Sequence, residues 1–270
     1  MHDANRPAPF LRWAGGKRWF VANYAHLIPQ RSGRYIEPFL GSGAVYFHLG
    51  PEIALLGDCN EELIETYIAV KEDWASVVAS LNRHAKSHST PYYYRIRSRV
   101  PRDRAKRAAR FIYLNRACWN GLYRVNAQGE FNVPIGSRQV QLFDPDLFRK
   151  LSDTLSAADL LCCDFQQLID QAEQNDLLFV DPPYTVRHSN NGFVRYNEAL
   201  FSWSDQERLA ACLRNAKKRG TRIVSTNAPH ESIRSLYQGH FKLMEVARFS
   251  PIAGKGSFRG KFTELVILSA

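Results

Sequence analysis

Residues 177–184 read LLFVDPPY, a run of four apolar residues followed by an acid, two prolines and a tyrosine. A short apolar run ended by turn-forming residues is typical of a buried strand. Proline lacks a backbone N–H and cannot extend a central ladder, so the strand is expected to stop at Asp181. A carboxylate, carbonyl oxygens without neighbouring N–H donors and the ring of Tyr184 should therefore lie together at the carboxyl end of one strand.

This set of groups suits the binding of an exocyclic amine. Two acceptors can hold its two N–H groups while the aromatic ring stacks on the attached base. The four residues alone leave a second interpretation open, in which residues 181–184 form only a rigid turn with a buried tyrosine.

Six other stretches have the character of this strand, and helical stretches lie between several of them. The six are RYIEPF (34–39), IALLGD (53–58), LLCCDF (160–165), TRIVSTNA (221–228), FKLMEVARF (241–249) and FTELVILS (262–269). The stretch SDQERLAACLRNAKKRG (204–220) predicts a helix with Ser204 as N-cap, Glu207 at the capping-box position and Gly220 at its end. Seven strands with helical connections predict an α/β fold with a mostly parallel sheet that is covered on both faces.

Residues 70–155 interrupt this alternation. They contain a helix-like run, DRAKRAARFIYLNRA (103–117), and a Gly- and Asn-rich segment, NGLYRVNAQGEFNVPIGS (120–137), which is typical of turns or a hairpin. We therefore expect a second, mainly helical unit with a β-hairpin at 70–155. It is inserted into an α/β domain that residues 1–69 and 156–270 form together.

The positive charge of the chain is concentrated in this inserted unit. The whole chain has 36 Lys and Arg against 26 Asp and Glu, a formal net charge of +10. The segment 83–110, which we call the basic block, holds ten of the basic residues and one acid, Asp103. Such a block attracts a polyanion over about one Debye length. A solvated helix face is the alternative, but the tyrosines at 92–94 favour nucleic acid over a membrane surface.

Composition excludes several other classes of protein. A chain that is 45% hydrophobic and 23% charged is neither disordered nor fibrous. Its five cysteines include no Cys-x-x-Cys, which argues against a disulfide framework and a zinc site, and Cys162 and Cys163 are expected in the core. No metal is expected from the histidines either, because no acid or cysteine completes a site beside His84 and His88. The chain has no membrane-spanning run and no secretory signal, so the cytoplasm is the expected location.

A glycine-containing turn follows the first clear strand. Residues 37–43 read EPFLGSG, and two glycines in a strand-to-helix turn let a ligand approach the backbone closely. Asp58 ends the next strand, where an acid can accept hydrogen bonds from ribose hydroxyls. The alternative is a tight turn, with Asp58 capping the helix that starts at Asn60.

These two motifs together resemble the Dam family of S-adenosylmethionine-dependent DNA adenine-N6 methyltransferases. The order of cofactor motif, inserted recognition region and catalytic motif is that of the alpha group of these enzymes. Further stretches that resemble the family are FLRWAGGK (10–17), YLNR (113–116), NGLYR (120–124), GEFNVPIG (129–136), YN (196–197), Phe201 and RGKFTEL (259–265). The resemblance implies a Rossmann-like methyltransferase fold, S-adenosylmethionine as cofactor and duplex DNA as partner.

The resemblance also implies a role for individual residues. Asp181 and the Pro182 carbonyl would bind the target amine, and Tyr184 would stack on a flipped adenine. Asp58 would hold the ribose of the cofactor. The cofactor-binding residues implied in this way are Trp13, Ala14, Gly15, Lys17, Glu37, Phe39, Gly41, Gly43, Asp58, Asp164, Phe165 and Asp181.

DNA contacts follow from the same resemblance. Arg124 would read a guanine, and Trp119, which stands where the family usually has tyrosine, would wedge into the base stack. The full set of implied DNA-binding residues is Arg95, Arg97, Arg104, Arg107, Arg116, Trp119, Asn120, Leu122, Arg124, Asn132 and Pro134. The resemblance makes GATC the first guess for the recognised sequence. It leaves open whether a partner endonuclease exists and whether the protein is a monomer or a dimer on DNA.

Two alternatives from other classes stay open at this point. One is a DNA-binding regulator that keeps the fold without catalysis, although the intact residues 181–184 argue against it. The other is an RNA adenine methylase or a cytosine-N4 methylase, and the cytosine-N4 enzymes more often carry serine where this chain has Asp181.

Overall fold

The structure is a computed structural model that describes residues 6–29, 33–126, 128–186, 201–249 and 261–269. Residues 196–197 and 259–260, which belong to the family-like stretches named above, lie outside the described residues. The strands of the sheet are β1 (Tyr35–Glu37), β2 (Ala54–Asp58), β3 (Ala158–Cys162), β4 (Leu177–Val180), β5 (Arg222–Asn227), β6 (Lys242–Phe249) and β7 (Lys261–Leu268).

The sheet has seven strands in the order β3-β2-β1-β4-β5-β7-β6. The pairs β1–β2, β1–β4 and β4–β5 are parallel, whereas β7 is antiparallel to both β5 and β6. The predicted α/β fold with a mostly parallel seven-stranded sheet is therefore confirmed. In the register of β4 and β5, Val180 lies opposite Ser225, so the residues that follow both strands leave the sheet side by side.

One α-helix in the described ranges precedes β1, and the others lie between the strands. They are α1 (Arg18–Tyr24), α2 (Ala44–Leu49), α3 (Glu61–Lys86), α4 (Thr90–Arg97), α5 (Arg104–Ala117), α6 (Pro145–Leu155), α7 (Phe165–Ile169), α8 (Trp203–Lys218) and α9 (Glu231–Tyr237). No helix in these ranges has both the length and the apolar character that a bilayer crossing needs.

The chain divides into two compact units. The first comprises Met1–Arg18, Leu40–Glu52 and Asp58–Cys162, and the second comprises Trp19–Phe39, Ile53–Gly57 and Cys163–Ala270. The predicted domains 1–69, 70–155 and 156–270 have other bounds than these units, and they stay a prediction.

The first unit is built around the packing of α3 on α5. Asn60 caps α3 by accepting a hydrogen bond from the Leu63 N–H at 3.0 Å. Acids in the first turn of α3 and basic residues in its last turn interact favourably with the helix dipole. Asp103 caps α5 in the same way, as the sequence predicts for a helix at 103–117. Val125 and Phe131 form an antiparallel bridge, which confirms a hairpin in the Gly- and Asn-rich segment.

The second unit has its core where α7, α8 and α9 cover the sheet. Ile36, Leu178, Leu213 and Ile267 are all fully buried in this cluster. Burying aliphatic side chains of this size contributes about 1.5–3 kcal/mol each. The cluster therefore holds the carboxyl ends of β1, β4 and β5 at fixed positions.

Two predictions about local structure are wrong. Helix α8 starts at Trp203 with Ser202 as its N-cap, because Ser202 and Asp205 form the capping box that the sequence analysis placed at Ser204 and Glu207. Cys162 is exposed rather than buried, because β3 stands at one end of the strand order and has an exposed face.

Candidate active site

Asp181 directly follows β4 and is held by the neighbouring strand. The Thr226 hydroxyl donates to Asp181 Oδ1 at 2.8 Å. Thr226 is in position to do so because the parallel register pairs Val180 with Ser225 one residue earlier. One carboxylate oxygen is thus restrained by β5.

Tyr184 is oriented by a buried acid. Its hydroxyl donates to Glu264 Oε2 at 2.6 Å, and Glu264, from β7, is 3% exposed. Arg248 Nη1 donates to the other oxygen of this carboxylate at 3.1 Å. Burial, followed by the charges of Asp181 and Glu264, raises the pKa of Tyr184 well above its usual value. The phenol therefore stays protonated and acts as a donor, which fixes the position of its ring.

The glycine turn of the first unit is tied to Asp58. The Gly41 N–H donates to Asp58 Oδ2 at 3.1 Å, and the Asn60 N–H donates to Oδ1 at 3.0 Å. Burial raises the pKa of the Asp58 carboxyl, while these backbone hydrogen bonds oppose the shift. Asn60, not Asp58, caps α3, so the capping alternative raised by the sequence is not what the structure shows.

Gly41 and Gly43 need to be glycine for different reasons. Both have positive φ, +48° and +63°, where a side chain is strained. A Cβ at Gly41 would also lie 2.8 Å from Trp13 Cδ1, whereas a Cβ at Gly43 would meet Phe47 at 3.1 Å. The turn therefore packs its backbone directly against the indole ring of Trp13.

The segment that contains Trp13 completes this part of the first unit. The Trp13 ring stacks on Tyr123 at a centroid distance of 5.4 Å. Lys17 is 4% exposed, and its Nζ donates to the Gly15 carbonyl at 3.1 Å. The neighbouring Ala14 and Gly15 are exposed. The structure thus brings together an ammonium group, a carboxylate and an aromatic ring around the predicted cofactor glycines.

The remaining predicted cofactor residues lie in the second unit, where aromatic rings dominate. Phe39 and Phe165 stack at 5.4 Å with an angle of 24° between their planes. Asp164 caps α7, and Arg208 donates to its two oxygens at 2.6 and 2.8 Å. These hydrogen bonds from Arg208 are the main reason that the pKa of Asp164 is lowered.

Glu37 also belongs to the second unit and ends β1. It is 3% exposed and accepts a hydrogen bond from the Tyr35 hydroxyl at 2.8 Å. A buried carboxylate at the carboxyl end of a strand is the kind of polar group that binds ligands in open α/β sheets.

The predicted base-reading residues lie together in the hairpin segment. Trp119 is 54% exposed and Leu122 is 39% exposed, which is unusual for large apolar side chains. The Trp119 N–H donates to the Pro134 carbonyl at 2.9 Å, and Arg124 Nε donates to Asn132 Oδ1 at 3.1 Å. Asn120, between the two apolar residues, has a positive φ of 56°.

The predicted phosphate-binding arginines have partners within the protein. Arg104 forms ion pairs with Glu65 at 3.3 Å and Glu72 at 2.7 Å, and Arg107 pairs with Glu65 at 3.5 Å. Arg97 donates to the Val133 carbonyl at 3.2 Å. The guanidinium group of Arg95 lies over the ring of Tyr92, and Arg116 donates a hydrogen bond to the Phe10 carbonyl. Part of the positive charge of the basic block is therefore neutralised by acids of α3.

Other cations of the basic block lie around a cavity of about 660 Å³ in the first unit. Its lining residues are Ser80, Arg83, His84, Lys86, Ser87, Tyr92, Pro101 and Lys106, with no acid among them. Within the described ranges, Arg83, Lys86 and Lys106 form no ion pair with an acid. These three residues were not among the predicted DNA contacts.

Thr226 is not among the predicted site residues, and its position in the sequence is what could have pointed to it. It stands near the end of a strand-like run, and parallel strands present their carboxyl ends at one edge. Among the described residues, no group of three or more His, Cys, Asp or Glu could hold a metal ion. His84 and His88 instead bond to the hydroxyls of Tyr92 and Tyr113 at 2.7 and 2.8 Å.

Comparison with known proteins identifies the family to which this chain belongs. Residues 13–252 match the D12 class of N6 adenine-specific DNA methyltransferases, and the chain belongs to this family. The predicted family and the predicted enzyme class, an adenine-specific DNA methyltransferase, are thereby confirmed.

Curated relatives cover nearly the whole chain. It is 32% identical over 268 residues to type II methyltransferase M1.LlaDCHI of Lactococcus lactis subsp. cremoris, covering 96% of this chain and 94% of the relative. It is 33% identical over 274 residues to type II methyltransferase M.MjaIII of Methanocaldococcus jannaschii, with coverages of 93% and 94%. A DNA adenine methylase of Haemophilus influenzae is 32% identical over 267 residues, with coverages of 96% and 93%.

Proposed function

We propose that this protein transfers a methyl group from S-adenosylmethionine to N6 of an adenine that is flipped out of a short duplex DNA site. The observation that carries this proposal is the group that follows β4. Asp181 is restrained by Thr226, Tyr184 is restrained by Glu264, and two prolines without N–H groups lie between them. An acceptor pair beside an oriented aromatic ring fits an exocyclic amine on a base.

The residues around the glycine turn fit the proposed cofactor. S-adenosylmethionine supplies a methyl group that the positive charge of its sulfonium activates. Asp58 would accept hydrogen bonds from the ribose, and the buried ammonium of Lys17 would pair with the cofactor carboxylate. Trp13, Ala14, Gly15, Gly41 and Gly43 would line the same ligand. The resemblance to the family also gives Glu37, Phe39, Asp164 and Phe165 as proposed cofactor residues.

Asp181 and the Pro182 carbonyl would accept the two N–H hydrogens of the target amine. The lone pair of an adenine amine is delocalised into the ring, and two acceptors favour a pyramidal nitrogen whose lone pair is free to react. This is orientation combined with electrostatic stabilisation of the transition state. Tyr184 would stack on the base, which offsets part of the few kcal/mol that extrusion from the duplex costs.

The hairpin segment would read the DNA. Arg124 would form a bidentate contact with a guanine, while Leu122 and Pro134 touch neighbouring bases and Trp119 fills the space left by the adenine. Asn120 and Asn132 would contact the same stretch of DNA.

Phosphates would be contacted by the basic block, including Arg95, Arg97, Arg104, Arg107 and Arg116. Arg104 and Arg107 must share their guanidinium groups with Glu65 and Glu72. The cations around the cavity, Arg83, Lys86 and Lys106, carry no such ion pair within the described ranges, so we add them to the proposed phosphate contacts. An enzyme that works on DNA in this way would act in the bacterial cytoplasm.

A methyl-transfer assay tests the proposal. The protein is incubated with S-adenosylmethionine labelled in its methyl group and with duplex DNA that carries GATC and other short sites. The product is then digested to nucleosides. Label in N6-methyladenine is expected. Label in N4-methylcytosine, label only when RNA replaces DNA, or no label despite DNA binding would each contradict the proposal.

A further inference from the structure

Two side-chain amides, Gln206 and Asn227, lie buried beside the segment that binds the target amine in the proposed function. Gln206 belongs to the first turns of α8, and Asn227 is the last residue of β5. Both have a relative exposure of 0%. Buried amides are retained where their hydrogen bonds are made, so the partners of these two indicate what they do.

The two amides form a chain of hydrogen bonds that ends at Pro183, within residues 181–184. The Ala228 N–H donates to Asn227 Oδ1 at 2.8 Å, and Asn227 Nδ2 donates to Gln206 Oε1 at 3.0 Å. Gln206 Nε2 then donates to the Pro183 carbonyl at 3.2 Å.

The direction of this chain is fixed by chemistry at both ends. The backbone N–H of Ala228 can only donate, so the Asn227 atom that faces it must be the oxygen. The Pro183 carbonyl can only accept, so the Gln206 atom that faces it must be the amide nitrogen. Flipping either amide would break two hydrogen bonds in a fully buried place, which makes this arrangement the only satisfied one.

The hydrogen bond to Pro183 restrains the carbonyl that precedes it. Neither Pro182 nor Pro183 has an N–H, so neither residue can be held in place by a hydrogen bond that its own backbone donates. The ring of Pro183 fixes its φ, and its ψ alone then sets the angle between the Pro182 and Pro183 carbonyls. By holding the Pro183 carbonyl, Gln206 restrains this ψ and with it the direction of the Pro182 carbonyl.

The end of β5 thus reaches both acceptors of the target amine. Thr226 bonds directly to Asp181, and Asn227, the next residue, acts on the Pro182 carbonyl through Gln206 and Pro183. We propose that Gln206 and Asn227 are positioning residues that hold the Pro182 carbonyl in line for methyl transfer. This inference rests on the proposed function, in which Asp181 and Pro182 accept the amine hydrogens.

The first test replaces Gln206 with a side chain of similar length that cannot donate a hydrogen bond. Gln206→Met should lower the single-turnover rate of adenine methylation by about 10–100-fold, while the Kd for S-adenosylmethionine stays within about twofold of wild type. The rate is taken per cofactor-binding site, well below the Tm of each protein, so that lost stability does not count as lost catalysis.

Ser225→Ala is the matched control. Ser225 lies in the same strand next to Thr226, is 0% exposed, and its hydroxyl has no hydrogen-bond partner in the described part of the chain. This variant removes a buried polar group from β5 without touching the chain of amides. It should methylate adenine at the wild-type rate.

A second variant separates positioning from packing. When protonated, the carboxyl group of Gln206→Glu can donate to the Pro183 carbonyl and accept from Asn227, as the native amide does. Burial favours this neutral form. The rate of Gln206→Glu divided by the wild-type rate should therefore exceed the same ratio for Gln206→Met. As the pH is lowered from about 8.5 to about 6, this ratio should rise, unless it is already near one at the higher pH.

The possible outcomes separate the inference from the proposed function. If Gln206→Met transfers methyl groups at the wild-type rate per cofactor site, or if Gln206→Glu stays at the level of Gln206→Met at every pH, these residues do not position the carbonyl. Should Gln206→Met fail to fold, the pH profile of Gln206→Glu decides alone. If wild type and Ser225→Ala both fail to methylate adenine, the proposed function is wrong instead.

Discussion

Removing the carboxylate of Glu264 should release the ring of Tyr184. The Tyr184 hydroxyl donates to this carboxylate at 2.6 Å, and Arg248 donates to its other oxygen at 3.1 Å. Three proteins isolate the contact: Glu264→Ala, Tyr184→Phe and the double variant. Tyr184→Phe keeps the aromatic ring, so it removes the hydrogen bond without removing the stacking surface.

The expected free energies of unfolding follow from these contacts. A hydrogen bond to a charged group contributes about 1.5–3 kcal/mol, and we expect a coupling energy of this size between the two substitutions. Arg248 is 34% exposed, so solvent screening limits its ion pair with Glu264 to at most about 1 kcal/mol. Glu264→Ala should therefore destabilise the fold by about 2–4 kcal/mol.

Urea unfolding of wild type and the three variants measures the coupling. The dependence of the unfolding free energy on urea should keep the same slope in all four proteins, since the surface exposed on unfolding hardly changes. If the effects of Glu264→Ala and Tyr184→Phe add to within about 0.5 kcal/mol, the two groups are not coupled. Glu264 would then not be what orients Tyr184.

Three further predictions concern the cofactor, the DNA surface and a half-buried histidine. Asp181→Ala should keep affinity for S-adenosylmethionine but lose methyl transfer, whereas Asp58→Ala should lose affinity first; calorimetry separates them, and an Asp181→Ala protein without cofactor binding would contradict the assignment. Arg124→Ala should relax discrimination at one base by about 1–3 kcal/mol, whereas Lys86→Ala should weaken binding to all duplexes alike and reduce the salt slope by about one, as binding to matched and altered duplexes over a salt series would reveal. Burial, and then the charge of its neighbouring arginine, lowers the pKa of His84 from 6.5 to about 4, so the unfolded chain binds the extra proton between these values. As the pH falls from 6.5 to about 4, wild type should therefore lose stability more steeply than His84→Gln in thermal melts. Parallel curves of Tm against pH would show that His84 has no part in the loss.

The sequence carried enough local information to predict β4 and the turn that follows it. An apolar run with two prolines behind it has few other structures available to it. The partner of Tyr184 could not be found in the same way, because Glu264 is 80 residues further along the chain. It reaches Tyr184 only because β7 inserts between β5 and β6, and strand order is not encoded in local patterns.

The start of α8 illustrates a different limit. Ser202 and Ser204 each have an acid three residues later, so the capping-box pattern occurs twice. The structure uses Ser202 and Asp205, and Glu207 instead accepts a hydrogen bond from Trp203 Nε1 at 2.7 Å. Sequence spacing alone could not choose between two equally good caps that lie two residues apart.

The charge pattern of the sequence defines the basic block but does not show which of its cations are paired with acids. The basic block contains one acid, yet the acids that neutralise Arg104 and Arg107 lie outside it on α3. Which cations stay unpaired depends on how α3 packs against α5, and this is a tertiary contact. The cluster of Arg83, Lys86 and Lys106 around one cavity became visible only in the folded chain.

The two strands that end the sheet have a consequence for the behaviour of the protein at high concentration. A strand at the margin of a sheet offers unpaired backbone groups to a neighbouring molecule, which is a common route to aggregation. Here β3 is only five residues long and exposes Asp159, while β6 exposes Lys242 and Glu245. Another molecule that added a strand at either margin would have to place its own chain against these charges. Because β3 and β6 stand at the two ends of the strand order, these charged residues do not adjoin the turns that follow β4 and β5.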